Sequence, residues 1–263
     1  MSFAIQSFGD PQKPPLLFLH GFMGSSADWD FFLKPLSEYF HCHLLDLPGH
    51  GATPAAASID HRHLIQQLGQ LIATFKRPVS LIAYSMGARV ALELLLTHQE
   101  SIAAAIIESA NPGIADYLAR NKRLRDDLNL LQNIHCQQDL EDFLSSWYQQ
   151  EIFCDLPTHE NFPQLLDKNY TSVQGWKKSL AILSIGCQPN LWPRLGSLKT
   201  PLLYIHGAKD RKYSAIATKL AQASPWVTQY TFQHAGHNTH FANPQKFLAV
   251  ALNFLTHLEL NIL

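Results

Sequence analysis

The run Val79-Ser80-Leu81-Ile82-Ala83 reads as a short buried strand, and Arg89 to Leu96 reads as a helix with one apolar face. Between them stands Tyr84-Ser85-Met86-Gly87. A serine between a strand end and a helix start, with small residues two before and two after, has the layout of a nucleophile elbow. Such a turn is sharp and strained, so bulk at either flanking position clashes where strand and helix cross. Ala83 and Gly87 meet that demand, although glycine is the usual residue at the first position. A chance match to a five-residue pattern is the plainer reading, and the rest of the chain decides between them.

Strand and helix alternate on both sides of the elbow. Pro15 to Leu19 reads as a strand ending at His20-Gly21, followed by a helix from Trp29 to Phe40. A second strand, His43 to Leu47, ends in the turn Pro48-Gly49-His50-Gly51. A helix covers Asp60 to Phe75, and Ala103 to Glu108 gives a strand after the elbow helix. Apolar strands separated by helices imply a mostly parallel, doubly wound sheet covered on both faces. From Asn111-Pro112-Gly113 to about Pro193 the periodicity is helical and Gln and Asp are frequent. Alternation resumes with a strand at Pro201 to Ile205, a helix near Ala215 to Ala223, a strand at Thr228 to Phe232 and a helix after Pro244. The expected organisation is a core over 1–112 and 194–263, with 113–193 a helical lid over the sheet's C-terminal edge, where ligands bind in open α/β folds.

At 263 residues, 46% of them hydrophobic, the chain is long enough for one large core. A formal net charge of −1 gives no electrostatic case for nucleic acid or an anionic membrane. No apolar run is long enough to span a bilayer, and the start Ser2-Phe3-Ala4-Ile5-Gln6 has no secretory pattern. Cys42, Cys136, Cys154 and Cys187 have no ligand spacing and are expected as free thiols in a reducing cytoplasm. Neither His41/His43 nor His61/His63 has carboxylates at metal-ligand spacing, no HExxH occurs, and no Gly-rich phosphate loop is present. No metal and no cofactor is expected.

Asp210 follows the Leu202 to Ile205 strand, and His237 follows the last strand in Ala235-Gly236-His237-Asn238. Ser85, Asp210 and His237 therefore fall on loops at one sheet edge, in the chain order of the α/β-hydrolases. A serine hydroxyl is a poor base or nucleophile until an imidazole accepts its proton, and a carboxylate fixes that imidazole's tautomer. His234 and His240 are rivals of His237, and Gly236 favours His237 by allowing close backbone approach. The backbone amides of Met86 and Phe22 are the expected oxyanion hole. Arg89, one helical turn from Ser85, costs desolvation unless it meets an anion or snorkels to the helix edge.

With these motifs the chain resembles the 2-succinyl-6-hydroxy-2,4-cyclohexadiene-1-carboxylate (SHCHC) synthases, α/β-hydrolase-fold lyases of menaquinone and phylloquinone biosynthesis. The resemblance rests on Leu19-His20-Gly21-Phe22, Asp28-Trp29, Asp46-Leu47-Pro48-Gly49-His50-Gly51 and Tyr84-Ser85-Met86-Gly87-Ala88-Arg89. It continues through Arg123-Leu124, Trp147-Tyr148-Gln149-Gln150, Gln188-Pro189-Asn190-Leu191-Trp192, Gly207-Ala208-Lys209-Asp210 and Ala235-Gly236-His237-Asn238. The arginine after the elbow and the motifs of the helical segment are its specific part; Ala83 departs from the glycine many relatives carry. The resemblance implies a small tricarboxylate substrate, no cofactor, and elimination of pyruvate after proton abstraction beside a ketone. It assigns Ser85, His237 and Asp210 to the chemistry and Arg89, Arg123 and Lys168 to carboxylates, with Tyr84 and Trp147 lining the pocket. The plainer readings are a solvated helix face for Arg123, packing for Trp147 and a surface lysine for Lys168. Two competing functions stand beside it: a carboxylesterase or carbon–carbon bond hydrolase with Ser85 as acyl nucleophile, and a non-catalytic ligand-binding protein of the same fold.

Overall fold

Residues 2–55 and 59–260 are described by a computed structural model. Positions 1 and 261–263, at the ends of the expected core segments, lie outside the described residues. The strands are β1 (Ile5–Phe8), β2 (Pro15–Leu19), β3 (His41–Leu45), β4 (Val79–Tyr84), β5 (Ile102–Glu108), β6 (Leu202–Gly207) and β7 (Val227–Phe232). Among the described residues they form one sheet in the order β1-β3-β2-β4-β5-β6-β7. Only β1 is antiparallel, pairing Ile5 with Leu45 and Phe8 with Cys42. All other pairings are parallel, so the crossovers are helices.

The helices are α1 (Asp30–Leu36), α2 (His61–Ile72), α3 (Ser85–Thr97), α4 (Tyr117–Asn129) and α5 (Gln137–Trp147). There follow α6 (Phe162–Leu166), α7 (Val173–Leu183), α8 (Arg211–Ala223), α9 (Thr239–Ala242) and α10 (Pro244–Leu260). Successive strand residues face opposite sides of the sheet. Leu17, Leu19, Leu81 and Ala83 pack with α2, α3 and α8 on one face. Leu16, Phe18, Ile82 and Ile106 pack with α1 and α10 on the other. Fully burying a leucine contributes about 2 kcal/mol, which is why the central strands are apolar on both faces.

Between β5 and β6 the described chain forms α4 to α7 with short 3₁₀ turns and no strand. This segment has its own apolar cluster, in which Leu140, Leu144, Tyr148, Phe153 and Trp176 surround Met23 of the core. It meets the core closely at Gly49 and Gly175: a Cβ on Gly49 would stand 2.3 Å from the Gly175 carbonyl oxygen. Gly49 also has φ +76°, so a side chain there is excluded twice.

Besides shifts of up to four residues at helix ends, as in α1, α2 and α8, two details differ from the sequence reading. β1 was not anticipated; its burial pattern is that of a short edge strand with three exposed residues. The second expected strand, His43 to Leu47, is observed as His41–Leu45. It stops because the Asp46 carboxylate accepts the Ser26 amide at 2.7 Å and the Ala52 amide at 2.8 Å, folding the chain into a turn. Among the described residues no helix is long and apolar enough to cross a membrane, and the four cysteines are unpaired.

Candidate active site

β4 ends at Tyr84 and α3 begins at Ser85 itself, which has φ +47°. A non-glycine residue in this left-handed region is strained, and the surroundings hold it there. Gly87 is one reason: a Cβ on it would come within 2.5 Å of the His20 carbonyl oxygen, to which its own amide donates at 3.1 Å. Close crossing of α3 over β2 therefore requires the small residue that the sequence supplies. Met86 is the second residue of α3, where a helix leaves its amide without an intrahelical acceptor.

The loop after β2 that carries Phe22 is tied down by two buried histidines. His20 donates from Nδ1 to the Gly21 carbonyl at 2.7 Å and accepts the Leu47 amide on Nε2 at 3.0 Å. His50 donates to the Pro48 carbonyl at 3.1 Å and accepts the Met23 amide at 3.2 Å. One donor and one acceptor per ring is the pattern of neutral imidazole. Burial pushes both histidines below the ordinary range, His50 well below it.

The three residues predicted at the sheet edge come together. Ser85 Oγ lies 2.9 Å from His237 Nε2, and His237 Nδ1 lies 2.8 Å from Asp210 Oδ2. Asp210 caps α8, where its other oxygen accepts the Tyr213 amide at 3.1 Å. With Nδ1–H held by the carboxylate, Nε2 is free to accept the serine proton. The ring is enclosed by Tyr213 at 4.5 Å, Tyr84 at 5.6 Å and Phe153 at 5.6 Å. Its backbone is fixed as well: His237 donates its amide to the Ile152 carbonyl at 2.8 Å, and the Ser109 hydroxyl donates to the His237 carbonyl at 2.8 Å. Of its sequence rivals, His234 is exposed and His240 is bonded to Glu108, so neither reaches the serine.

A cavity of about 580 Å³ opens on Ser85 and is lined by Phe22, Tyr84, Trp147, Lys168 and His240 among others. Trp147 meets the Phe22 ring at 5.8 Å, joining the helical segment to the loop after β2. Lys168 is half-buried, and its ammonium has no ion-pair partner among the described residues. Burial, with the Glu108 charge second, drives the Tyr84 phenol well above its usual range, so it stays protonated.

Arg89 and Arg123 are not part of that lining. Arg89 is partly buried and donates to the Leu183 carbonyl at 2.7 Å and to Gln188 Oε1 at 3.2 Å. Burial lowers its guanidinium to about 10, which leaves it charged at neutral pH. The Arg123 charge adds to that lowering, so the two cations lie within electrostatic reach of each other. Arg123 is half-exposed and paired through Nε with Asp127 at 2.7 Å, while Asp127 also accepts the Ser184 hydroxyl at 2.6 Å. Its terminal nitrogens have no partner among the described residues.

The model of the alpha/beta hydrolase family matches residues 16–250. The SHCHC synthase of Enterobacter sp. (strain 638) is 30% identical over 248 residues, covering 94% of this chain and 93% of the relative. That of Yersinia pseudotuberculosis serotype O:3 is 32% identical, covering 92% and 88%. This chain belongs to the SHCHC synthase family of the alpha/beta hydrolases. The solved structure of MenH from S. aureus superposes with a TM-score of 0.90 at 26% identity, over 98% of this chain and 100% of that one.

Against this family background, two residues near the site escaped the sequence reading in different ways. Gln188 stands in the sequence only as part of a motif, and in the structure it is the acceptor for Arg89 and is 1% exposed. Glu108 is the last residue of an otherwise apolar strand. A carboxylate closing such a run was the available signal, because it needs partners once buried.

Proposed function

We propose that this chain is an SHCHC synthase: it eliminates pyruvate from 2-succinyl-5-enolpyruvyl-6-hydroxy-3-cyclohexene-1-carboxylate by abstraction of the proton beside the succinyl ketone. What carries the reading is a serine–histidine–aspartate hydrogen-bonded chain one helical turn from a partly buried, charged arginine, in a chain 30% identical to a named synthase over 94% of its length. Esterases need the first feature and have no general use for the second.

In the proposed mechanism His237 accepts the Ser85 proton, Asp210 stabilises the imidazolium, and the Ser85 oxygen removes the substrate proton. The electron pair moves toward the ketone oxygen, where the amides of Met86 and Phe22 hold the developing enolate. Collapse of the enolate shifts the ring double bond and breaks the bond from the ring to the enolpyruvyl oxygen, giving the conjugated diene; the departing enolate takes the proton held by the His237 imidazolium and becomes pyruvate. Ser85 forms no acyl intermediate, and the reaction uses no cofactor. Arg89 and Arg123 hold carboxylates through their free guanidinium donors, and Lys168 holds a third from the cavity side. Tyr84 and Trp147 shape the wall. The segment 113–193 acts as a lid that completes the site over the core.

Arg89→Ala tests the carboxylate role. It is expected to raise KM for the tricarboxylate substrate between ten- and a hundredfold, the usual range for loss of a charged hydrogen bond, while leaving the thermal unfolding midpoint within a few degrees. Unchanged KM would remove Arg89 from substrate binding. Pre-steady-state reaction with an activated ester separates the two chemistries: no acyl-enzyme burst is expected, and a stoichiometric burst with fast turnover would favour the hydrolase reading.

A further inference from the structure

His240 is a buried histidine with only one nitrogen accounted for. Its Nδ1 lies 2.6 Å from Glu108 Oε2. Glu108 is fully buried at the C-terminal end of β5, where it pairs in register with Tyr84 of the elbow strand. Its second oxygen accepts the His240 amide at 3.1 Å, the Thr239 hydroxyl at 2.8 Å and the Thr239 amide. An ionised carboxylate only accepts, so the proton between the pair sits on Nδ1. In the neutral ring Nε2 is then a bare acceptor.

The ring plane is also fixed. Trp29 stacks on it at 4.6 Å and 26°, Tyr84 meets it edge-on at 4.9 Å, and Phe247 closes the box at 5.7 Å. Nε2 has no hydrogen-bond partner among the described residues, yet it is not one of the polar atoms sealed from open space. His240 lines the cavity that Ser85 opens on. The other histidines buried near the site differ: His20, His50 and His237 each have both nitrogens bonded. His43, in the β1–β3 pair at the sheet's edge, has an unpartnered Nε2, but packing seals it. An oriented acceptor at the wall of a reaction cavity wants a donor, and the donor it suits is a hydroxyl.

We propose that Glu108 and His240 are a specificity pair, in which Glu108 sets the tautomer and His240 Nε2 accepts a hydrogen bond from a ring hydroxyl of the bound substrate. The proposal rests on the SHCHC synthase reading, whose substrate carries one hydroxyl on its six-membered ring. A site built to bond a hydroxyl discriminates against the analogue that lacks it, because the site's polar group is left unpaired. The pair needs no part in proton transfer.

The test compares kcat/KM for the substrate and its 6-deoxy analogue in wild type, His240→Phe and Glu108→Gln. Phosphonylation of Ser85 counts the folded sites in each preparation. Wild type is expected to favour the hydroxylated substrate about tenfold, the value of a neutral hydrogen bond, mostly through KM. His240→Phe is expected to lose that preference by slowing only the hydroxylated substrate. Glu108→Gln places an amide donor opposite Nδ1 and moves the ring proton to Nε2; the hydroxyl must then accept instead of donate, and the preference is expected to shrink without vanishing. A wild type without preference, or variants that lose equally on both substrates and keep the ratio, would overturn the proposal and leave the pair a structural clamp. A wild type that releases pyruvate from neither substrate would overturn the synthase reading first, and this inference with it.

Discussion

The histidines of two histidine–carboxylate pairs stand three residues apart, His237 in the loop after β7 and His240 in α9. His237 contacts Asp210 at 2.8 Å and His240 contacts Glu108 at 2.6 Å. Both carboxylates are sealed from solvent, at 1% and 0% exposure, and both accept backbone amides besides the imidazole. The pairs separate only at Nε2. That of His237 meets the Ser85 hydroxyl, while that of His240 has no hydrogen-bond partner among the described residues. Burial, distance and charge are therefore shared features, and what the distal nitrogen faces distinguishes a base from a recognition element. A search for buried histidine–carboxylate contacts alone would have found both and ranked neither.

The comparison breaks most sharply at the carboxylates. Asp210→Asn is expected to lower kcat for pyruvate release by about 10⁴, the loss typical when a triad imidazole is left in the wrong tautomer. Glu108→Gln changes the corresponding atom of the other pair and is expected to stay within about tenfold of wild type. Comparable losses from both, with folded sites counted, would erase the distinction drawn here. Ser109→Ala is a gentler probe. It removes the hydroxyl that donates to the His237 carbonyl and is expected to reduce kcat a few-fold with KM unchanged. A KM effect without a kcat effect would show that the hydroxyl serves something other than the position of His237.

The smallest expected effect is on stability and involves the histidines that belong to neither pair. Burial lowers His20 and His50, and burial with the His41 charge lowers His43 to about 4. The unfolded chain takes up protons on these rings from about pH 6.5 downward, and the folded protein does so only at lower pH. Unfolding thus consumes protons in that window, and stability falls as pH drops from about 6.5 toward 4. His43→Phe is expected to flatten the dependence of the unfolding midpoint on pH over that range. An unaltered slope would mean that His43 titrates alike in both states.

Most of the core was legible because parallel strands buried on both faces are continuous apolar runs, as in Leu16 to Leu19 and Ala104 to Ile107. β1 was not legible, because Ile5-Gln6-Ser7-Phe8 is an edge strand that gains its place only by pairing with β3. At the site, Ser85, Asp210 and His237 could be found because each follows a recognisable strand, and chain order then links them. Glu108 leaves only the signal of a carboxylate closing an apolar strand, and Gln188 leaves none, since their roles depend on partners more than ninety residues away in sequence. Arg89 was conspicuous as a charge on an apolar helix face, whereas the orientation given to it by Leu183 and Gln188 comes from the helical segment.

The central claim is that Ser85, driven by His237, removes a proton from the substrate. Its most direct test is pyruvate release from freshly generated 2-succinyl-5-enolpyruvyl-6-hydroxy-3-cyclohexene-1-carboxylate, measured above the substrate's spontaneous decay in wild type and Ser85→Ala. Fast release by wild type that falls to background in the variant is the predicted result. Release no faster than background by a wild type that turns over simple esters, or full release by Ser85→Ala, would contradict the account.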